Sequence, residues 1–228
     1  MMQNETIISD NRSYTVCTDD APQYLLIQPA DKRELGHIDA EVGHIKQLTD
    51  KPFLFAAFEV TDWNSELSPW EAPPVFGNEA FGSGAGETAA YIEQKLLPDI
   101  IRRYTLKEDI PVVLGGYSLA GLFALWAGYT SERFAAVAGV SPSVWFPGWQ
   151  DFISGRSPKA KRIYLSLGRK EEKVRNQVMA AVGDNIRRQY EILRSRGFDV
   201  TLEWNDGNHF TEPDLRTAKG FARCIEQN

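Results

Sequence analysis

Hydrophobic and polar positions change period repeatedly along the chain. Residues 13–16 and 24–27 read as two short strands joined by a polar turn at 18–22. Leu35, Ile38, Val42, Ile45 and Leu48 then recur at steps of 3, 4, 3 and 3, which is one face of a helix. Residues 53–58 are continuously apolar, the pattern of a strand buried on both faces. From 59 to 86 the period lapses into an irregular stretch rich in Trp, Pro and Gly. A segment of that length inside a compact domain usually carries function. A helix is expected over 87–104, with Pro98 as a kink or break.

The second half alternates more regularly. Residues 111–114 predict a buried strand and 119–129 a strongly apolar helix. Two further strands, 135–140 and 163–167, are separated by a loop-like insert at 141–162. Val174, Val178, Ala181, Val182, Ile186, Tyr190 and Leu193 form an amphipathic stripe that predicts one helix, ended by Gly197. A last strand is expected at 200–204. Leu215, Ala218, Ala222 and Ile225 mark a closing helix. Strands alternating with helices imply an α/β domain with a mostly parallel sheet and helices on both faces. No repeat or Gly/Ser linker divides the chain, so one domain over residues 1–228 is expected.

Composition narrows the classes. The chain has 228 residues, 25 Lys plus Arg against 31 Asp plus Glu, and a formal net charge of −6. With 43% hydrophobic residues it is not a disordered chain. An acidic chain without a dense basic block is a poor partner for nucleic acid or an anionic membrane surface. Two Cys and three His exclude a disulfide framework and a Cys-rich zinc site. The polar first twenty residues lack the apolar core of a signal peptide, and no apolar run could span a bilayer. Cys17 and Cys224 read as free thiols in a reducing compartment, so a cytoplasmic location is expected.

The candidate chemistry centres on Val112-Val113-Leu114-Gly115-Gly116-Tyr117-Ser118-Leu119-Ala120-Gly121-Leu122. A buried strand runs into a tight turn, and an apolar helix starts at once. Ser118 sits at the apex, with Gly116 two residues before and Ala120 two after, as in a nucleophile elbow. So sharp a turn strains the Ser backbone and nearly collides its neighbours, so only small residues fit there. It also lifts the Ser oxygen to a helix N-terminus, where the Leu119 N–H can stabilise developing negative charge.

A Ser nucleophile needs a base. His37 and His44 lie on the early helix beside its apolar stripe and precede the Ser. His209 lies in Asn205-Asp206-Gly207-Asn208-His209-Phe210, a polar loop after the last strand and 91 residues beyond Ser118. That is where catalytic residues of α/β folds collect. The orienting acid is expected after the strand ending at Gly168, where Glu171 and Glu172 are the candidates. Asp206 and Asp184 are weaker alternatives.

Four segments carry a resemblance: residues 115–122, 141–146 (Ser-Pro-Ser-Val-Trp-Phe), 167–172 (Leu-Gly-Arg-Lys-Glu-Glu) and 208–210 (Asn-His-Phe). Together they resemble the putative-esterase branch of the α/β-hydrolase superfamily, which includes siderophore esterases. The resemblance runs from about Phe53 to the C-terminus. It implies an α/β-hydrolase fold, a Ser–acid–His triad, ester hydrolysis through an acyl-enzyme, and no cofactor. It favours Glu171 over Glu172, because the family often places its acid three residues after the Gly that ends the strand. It also implies a second oxyanion donor just after the third strand, taken as residues 53–58, which points to the backbone N–H near Val60. No basic cluster stands out that would hold a large anionic siderophore.

Gly82-Ser83-Gly84-Ala85-Gly86 superficially suggests a phosphate loop. It lacks a preceding strand and the third Gly of the dinucleotide fingerprint, and reads as a flexible loop feeding the next helix. Trp63, Trp70, Phe76 and Phe81 in the long irregular stretch, Trp145, Phe146 and Trp149 in the insert, and Phe210 suggest an aromatic rim. Trp63, Trp70, Tyr117 and Trp145 are taken as substrate-binding candidates. The expected function is a serine esterase acting on a small or medium ester with an apolar or aromatic portion. An acyltransferase with the same triad, a silent binding protein on this scaffold, and homo-oligomerisation stay open. The insert at 141–162 is too short for a large cap domain.

Overall fold

The computed structural model describes residues 3–9 and 12–226. Eight strands form one sheet: β1 (Gln3–Ser9), β2 (Arg12–Thr18), β3 (Tyr24–Ala30), β4 (Phe53–Glu59), β5 (Val112–Tyr117), β6 (Phe134–Val140), β7 (Arg162–Gly168) and β8 (Asp199–Asn205). Their spatial order is β1-β2-β4-β3-β5-β6-β7-β8. β2 runs antiparallel to β1 and β4, and all pairs from β4 to β8 are parallel.

Parallel strands joined by helical crossovers are covered on both faces, which explains their unbroken apolar runs. β4 has six consecutive buried residues and β5 is buried throughout. One core layer gathers Leu54, Phe58, Leu114, Phe123 and Leu165, and the opposite layer gathers Phe55, Val113, Tyr164 and Phe221. This is an α/β fold.

The helices are α1 (Lys32–Leu35), α2 (Ile38–Leu48), α3 (Trp63–Glu66), α4 (Ala85–Tyr91), α5 (Leu97–Arg103), α6 (Leu119–Thr130), α7 (Trp149–Ser154), α8 (Gln177–Ala180), α9 (Val182–Ser195) and α10 (Pro213–Ile225). The expected helix over 87–104 is α4 and α5 joined by a π-helical turn at Ile92–Leu96. Pro98 falls in the first turn of α5, where its missing N–H costs least. The stripe expected as one helix divides into α8 and α9. Val174 and Val178 stay exposed, while Val182, Ile186 and Leu193 are buried. The irregular stretch contains α3 and a bridge between Ala72 and Phe81. Gly82 and Gly84 are not a loose loop: a Cβ on either would come within 2.6 Å and 2.8 Å of Ser65. β1 has no counterpart among the expected elements. Among the described residues, no helix is long and apolar enough to cross a membrane.

Candidate active site

Four adjacent strands deliver the site from their C-terminal ends. β5 ends at the elbow. Ser118 has φ 58° and ψ −119°, a left-handed geometry unusual for a residue with a Cβ. A Cβ on Gly116 would lie 2.6 Å from the Ala120 Cβ, and one on Gly121 would lie 2.8 Å from the Gly116 carbonyl oxygen. Close approach, and not positive φ, dictates glycine at these two positions. The Ser118 N–H is held by the Val140 carbonyl at 3.0 Å, and α6 begins at Leu119.

The loop after β8 brings His209 to Ser118, with Nε2 3.1 Å from the Ser118 Oγ. The turn after β7 brings Glu171, whose Oε2 lies 2.7 Å from His209 Nδ1. The other carboxylate oxygen, Oε1, accepts from the Ser141 hydroxyl at 2.8 Å, the Gly168 N–H at 2.7 Å and Arg216 Nη1 at 3.2 Å. Burial alone would raise the Glu171 pKa. The hydrogen bond and charge of His209, with the Ser141 and Gly168 donors, outweigh it and hold the carboxyl below its ordinary range.

Other acids lie elsewhere. Glu172 pairs with Arg187 at 2.9 Å. Asp184 and Asp206 are fully or nearly fully exposed, beside Arg187 and Arg169 respectively. The sequence resemblance preferred Glu171 over Glu172, and Glu171 is the one beside His209.

Two contributors were not singled out from the sequence. Ser141, at the end of β6, has φ 42° and turns its hydroxyl onto Glu171. Arg216, on α10 and only 2% exposed, reaches Glu171, the Tyr117 hydroxyl and the carbonyls of Asn208 and Asp206. The Tyr117 hydroxyl in turn donates to the His209 carbonyl at 2.8 Å. Tyr117 and Arg216 together brace the His209 loop. Charged residues on an amphipathic helix normally face water, so nothing in the local sequence marked Arg216 as buried.

Three expectations are corrected. The Val60 N–H donates to the Ala30 carbonyl at 2.9 Å, so it is unavailable to a substrate. The neighbour of β5 on that side is β3, not β4, and Asp31 in the turn after β3 and Arg33 on α1 border the cavity that contains Ser118. Trp70 donates its ring N–H to the Pro147 carbonyl at 2.8 Å and packs on Phe146 and Phe152. Trp145 packs between Phe76 and Phe81. Neither Trp70 nor Trp145 borders the cavity; these aromatics pack on one another instead of forming a rim. Phe81, Phe146 and Trp149 are buried, and Trp70 and Trp145 are partly buried against the core.

The cavity has a volume of about 470 Å³. Trp63, Tyr117, Ser118, His209 and Phe210 line it. His37 also lines it, while His44 sits 3.7 Å from Asp214. The described residues contain no cluster of metal ligands.

Solved structures share this fold. An IroE-like serine hydrolase from Shewanella oneidensis superposes with a TM-score of 0.78 at 17% identity, covering 98% of this chain and 79% of that one. The siderophore hydrolase EstB from Aspergillus nidulans gives 0.77 at 17%, covering 99% and 94%. The enterobactin esterase FES from Shigella flexneri, in the presence of enterobactin, gives 0.69 at 18%, covering 98% of this chain and 58% of that one. A comparison with curated protein sequences found no match. The family model described as "Putative esterase" matches residues 56–212, about two thirds of the chain and a span that contains Ser118, Glu171 and His209. The chain therefore belongs to the putative esterase family and is an esterase on an α/β fold.

Proposed function

We propose that this esterase works through Ser118, His209 and Glu171 as a catalytic triad on a small or medium carboxylic ester. The observation that carries the reading is the unbroken chain of contacts, 3.1 Å from Ser118 to His209 and 2.7 Å from His209 to Glu171. Glu171 keeps the proton of the neutral imidazole on Nδ1, which leaves Nε2 free to accept. Ser118 Oγ attacks the ester carbonyl carbon as its proton passes to Nε2. The C–O bond breaks, and the leaving alcohol takes that proton. A water then gives a proton to Nε2 and attacks the acyl-enzyme. The acid departs and Ser118 regains its hydrogen.

The Leu119 N–H, first of α6, serves the oxyanion, with the turn after β3 as the source of a second donor. Trp63 and Phe210 offer apolar surface for the substrate, and Tyr117 contributes its ring. The structural neighbours named for siderophores and enterobactin support ester chemistry on this scaffold. The cavity here is lined by more carboxyls than cations, which favours a different substrate from an anionic chelator. The chain acts as one domain, residues 1–228. The buried free thiols of Cys17 and Cys224 favour a reducing, cytoplasmic setting.

The test is hydrolysis of p-nitrophenyl acetate. Ser118→Ala is expected to lose at least about a thousandfold in kcat with an unchanged circular dichroism spectrum. Retention of more than about a tenth of the activity overturns the assignment.

A further inference from the structure

The cavity beside Ser118 has a second character that ester hydrolysis does not use. Four carboxyl side chains line it, Asp31, Glu34, Glu41 and Asp214, against one guanidinium, Arg33. Three of the four have local partners. Asp31 and Glu34 cap α1 reciprocally, the Asp31 side chain accepting the Glu34 N–H at 2.8 Å and the Glu34 side chain the Asp31 N–H at 3.1 Å. Asp214 faces His44.

Glu41 differs. It stands on α2 opposite Gln28 on β3, and the two are 6% and 3% exposed. Gln28 Nε2 donates to Glu41 Oε2 at 3.2 Å. The remaining oxygens, Gln28 Oε1 and Glu41 Oε1, are buried and have no hydrogen-bond partner among the described residues. Both residues line the cavity. Buried polar atoms are nearly always paired, and both oxygens are acceptors once Glu41 is ionised, so they call for a donor that arrives with a ligand.

We propose that Gln28 and Glu41 form a subsite for a primary ammonium group. An ammonium brings three N–H donors, enough for both orphaned oxygens, and a charge that matches the carboxyl excess. A hydroxyl brings one donor and no charge, and a carboxylate is repelled. Burial, moderated by the Gln28 hydrogen bond and reinforced by Glu34 and Asp214, pushes the Glu41 carboxyl up to about 8. An ammonium placed beside it reverses that effect and favours the carboxylate. The assignment of this group to an ester substrate rests on the proposed esterase reading; the binding itself does not.

Titration calorimetry on the 228-residue Ser118→Ala chain in phosphate buffer separates the two. The probes are n-butylammonium, 1-butanol and butyrate. Butylammonium is expected to bind about tenfold or more tightly than either neighbour. Adding Glu41→Gln or Gln28→Leu, each with an unchanged circular dichroism spectrum, is expected to weaken it by about the same factor. In the wild-type protein it is expected to inhibit p-nitrophenyl acetate hydrolysis competitively with the same constant. Equal or better binding of butanol or butyrate, no amine binding at millimolar concentration, or unchanged affinity in both variants overturns the subsite. If the wild-type chain hydrolyses no ester, the catalytic reading fails and the calorimetry still decides. If the variants do not fold, the three-probe comparison decides alone.

Discussion

Arg216→Met isolates the brace behind the triad. The substitution keeps most of the apolar stem and removes the guanidinium. In the native protein that group is 2% exposed and donates to Glu171 at 3.2 Å, the Tyr117 hydroxyl at 3.2 Å, the Asn208 carbonyl at 3.0 Å and the Asp206 carbonyl. Its removal leaves the Asp206 carbonyl unpaired, the Asn208 carbonyl with only the Thr211 N–H at 3.2 Å, and one face of a buried carboxylate uncompensated. Breaking a buried ion pair on one side costs about 3–5 kcal/mol. For a chain of this size each kcal/mol lowers Tm by about 2–4 °C, so the melting temperature is expected to fall by roughly 6–20 °C. Loosening Glu171 and the His209 loop together is expected to lower kcat for p-nitrophenyl acetate about a hundredfold, with KM nearly unchanged. Arg216→Lys restores the charge but not the planar fork, so it is expected to recover part of the Tm and little of the kcat. Differential scanning calorimetry and steady-state kinetics on the same preparations provide the check. A Met variant that melts within about 2 °C of wild type with kcat intact refutes the reasoning.

Other consequences follow from named contacts. Glu171→Gln is expected to lower kcat about a hundredfold to ten-thousandfold by weakening the hold on the His209 tautomer. Glu172→Gln, which loses only a partly exposed contact with Arg187, is expected to leave kcat within twofold. Ser118→Gly removes the Cβ from a residue at φ 58° and is expected to raise stability by about 1 kcal/mol in urea titration while abolishing turnover. Gly116→Ala forces a Cβ to 2.6 Å from Ala120 and is expected to cost about 1–3 kcal/mol together with most of the activity. Glu41, raised to about 8 from 4.5, binds a proton in the folded chain that the unfolded chain has lost. Its contribution is therefore present at low pH and fades as pH rises from about 5 to about 8. Wild type is expected to lose a few kcal/mol relative to Glu41→Gln across that window, at about 1.4 kcal/mol per unit. Urea titrations of both proteins at pH 5, 7 and 9 measure it, and parallel pH profiles contradict it.

The elbow was legible because small residues interrupt the apolar run of the buried strand β5, and the His209 loop because a polar, Gly-containing stretch follows the alternating strand β8. Val60 was misplaced for a specific reason. β1 is a largely exposed edge strand whose adjacent Ile7 and Ile8 show no alternation, so it left no periodic trace. Without it the strand count slips by one, and β4 takes the place of β3. The crossover that seats β3 between β4 and β5 is a tertiary choice with no local signal. Trp70 and Trp145 show the same limit from the other side. A loop aromatic can line a cavity or pack on its neighbours, and only the partners that folding brings near decide which.

The central claim is that Ser118 is the nucleophile. Treating the folded chain with a fluorophosphonate and mapping the adduct by mass spectrometry tests it most directly. The account predicts stoichiometric phosphonylation of Ser118 that is lost in Ser118→Ala and strongly slowed in His209→Ala. A chain that stays unlabelled, or is labelled at another residue, contradicts it.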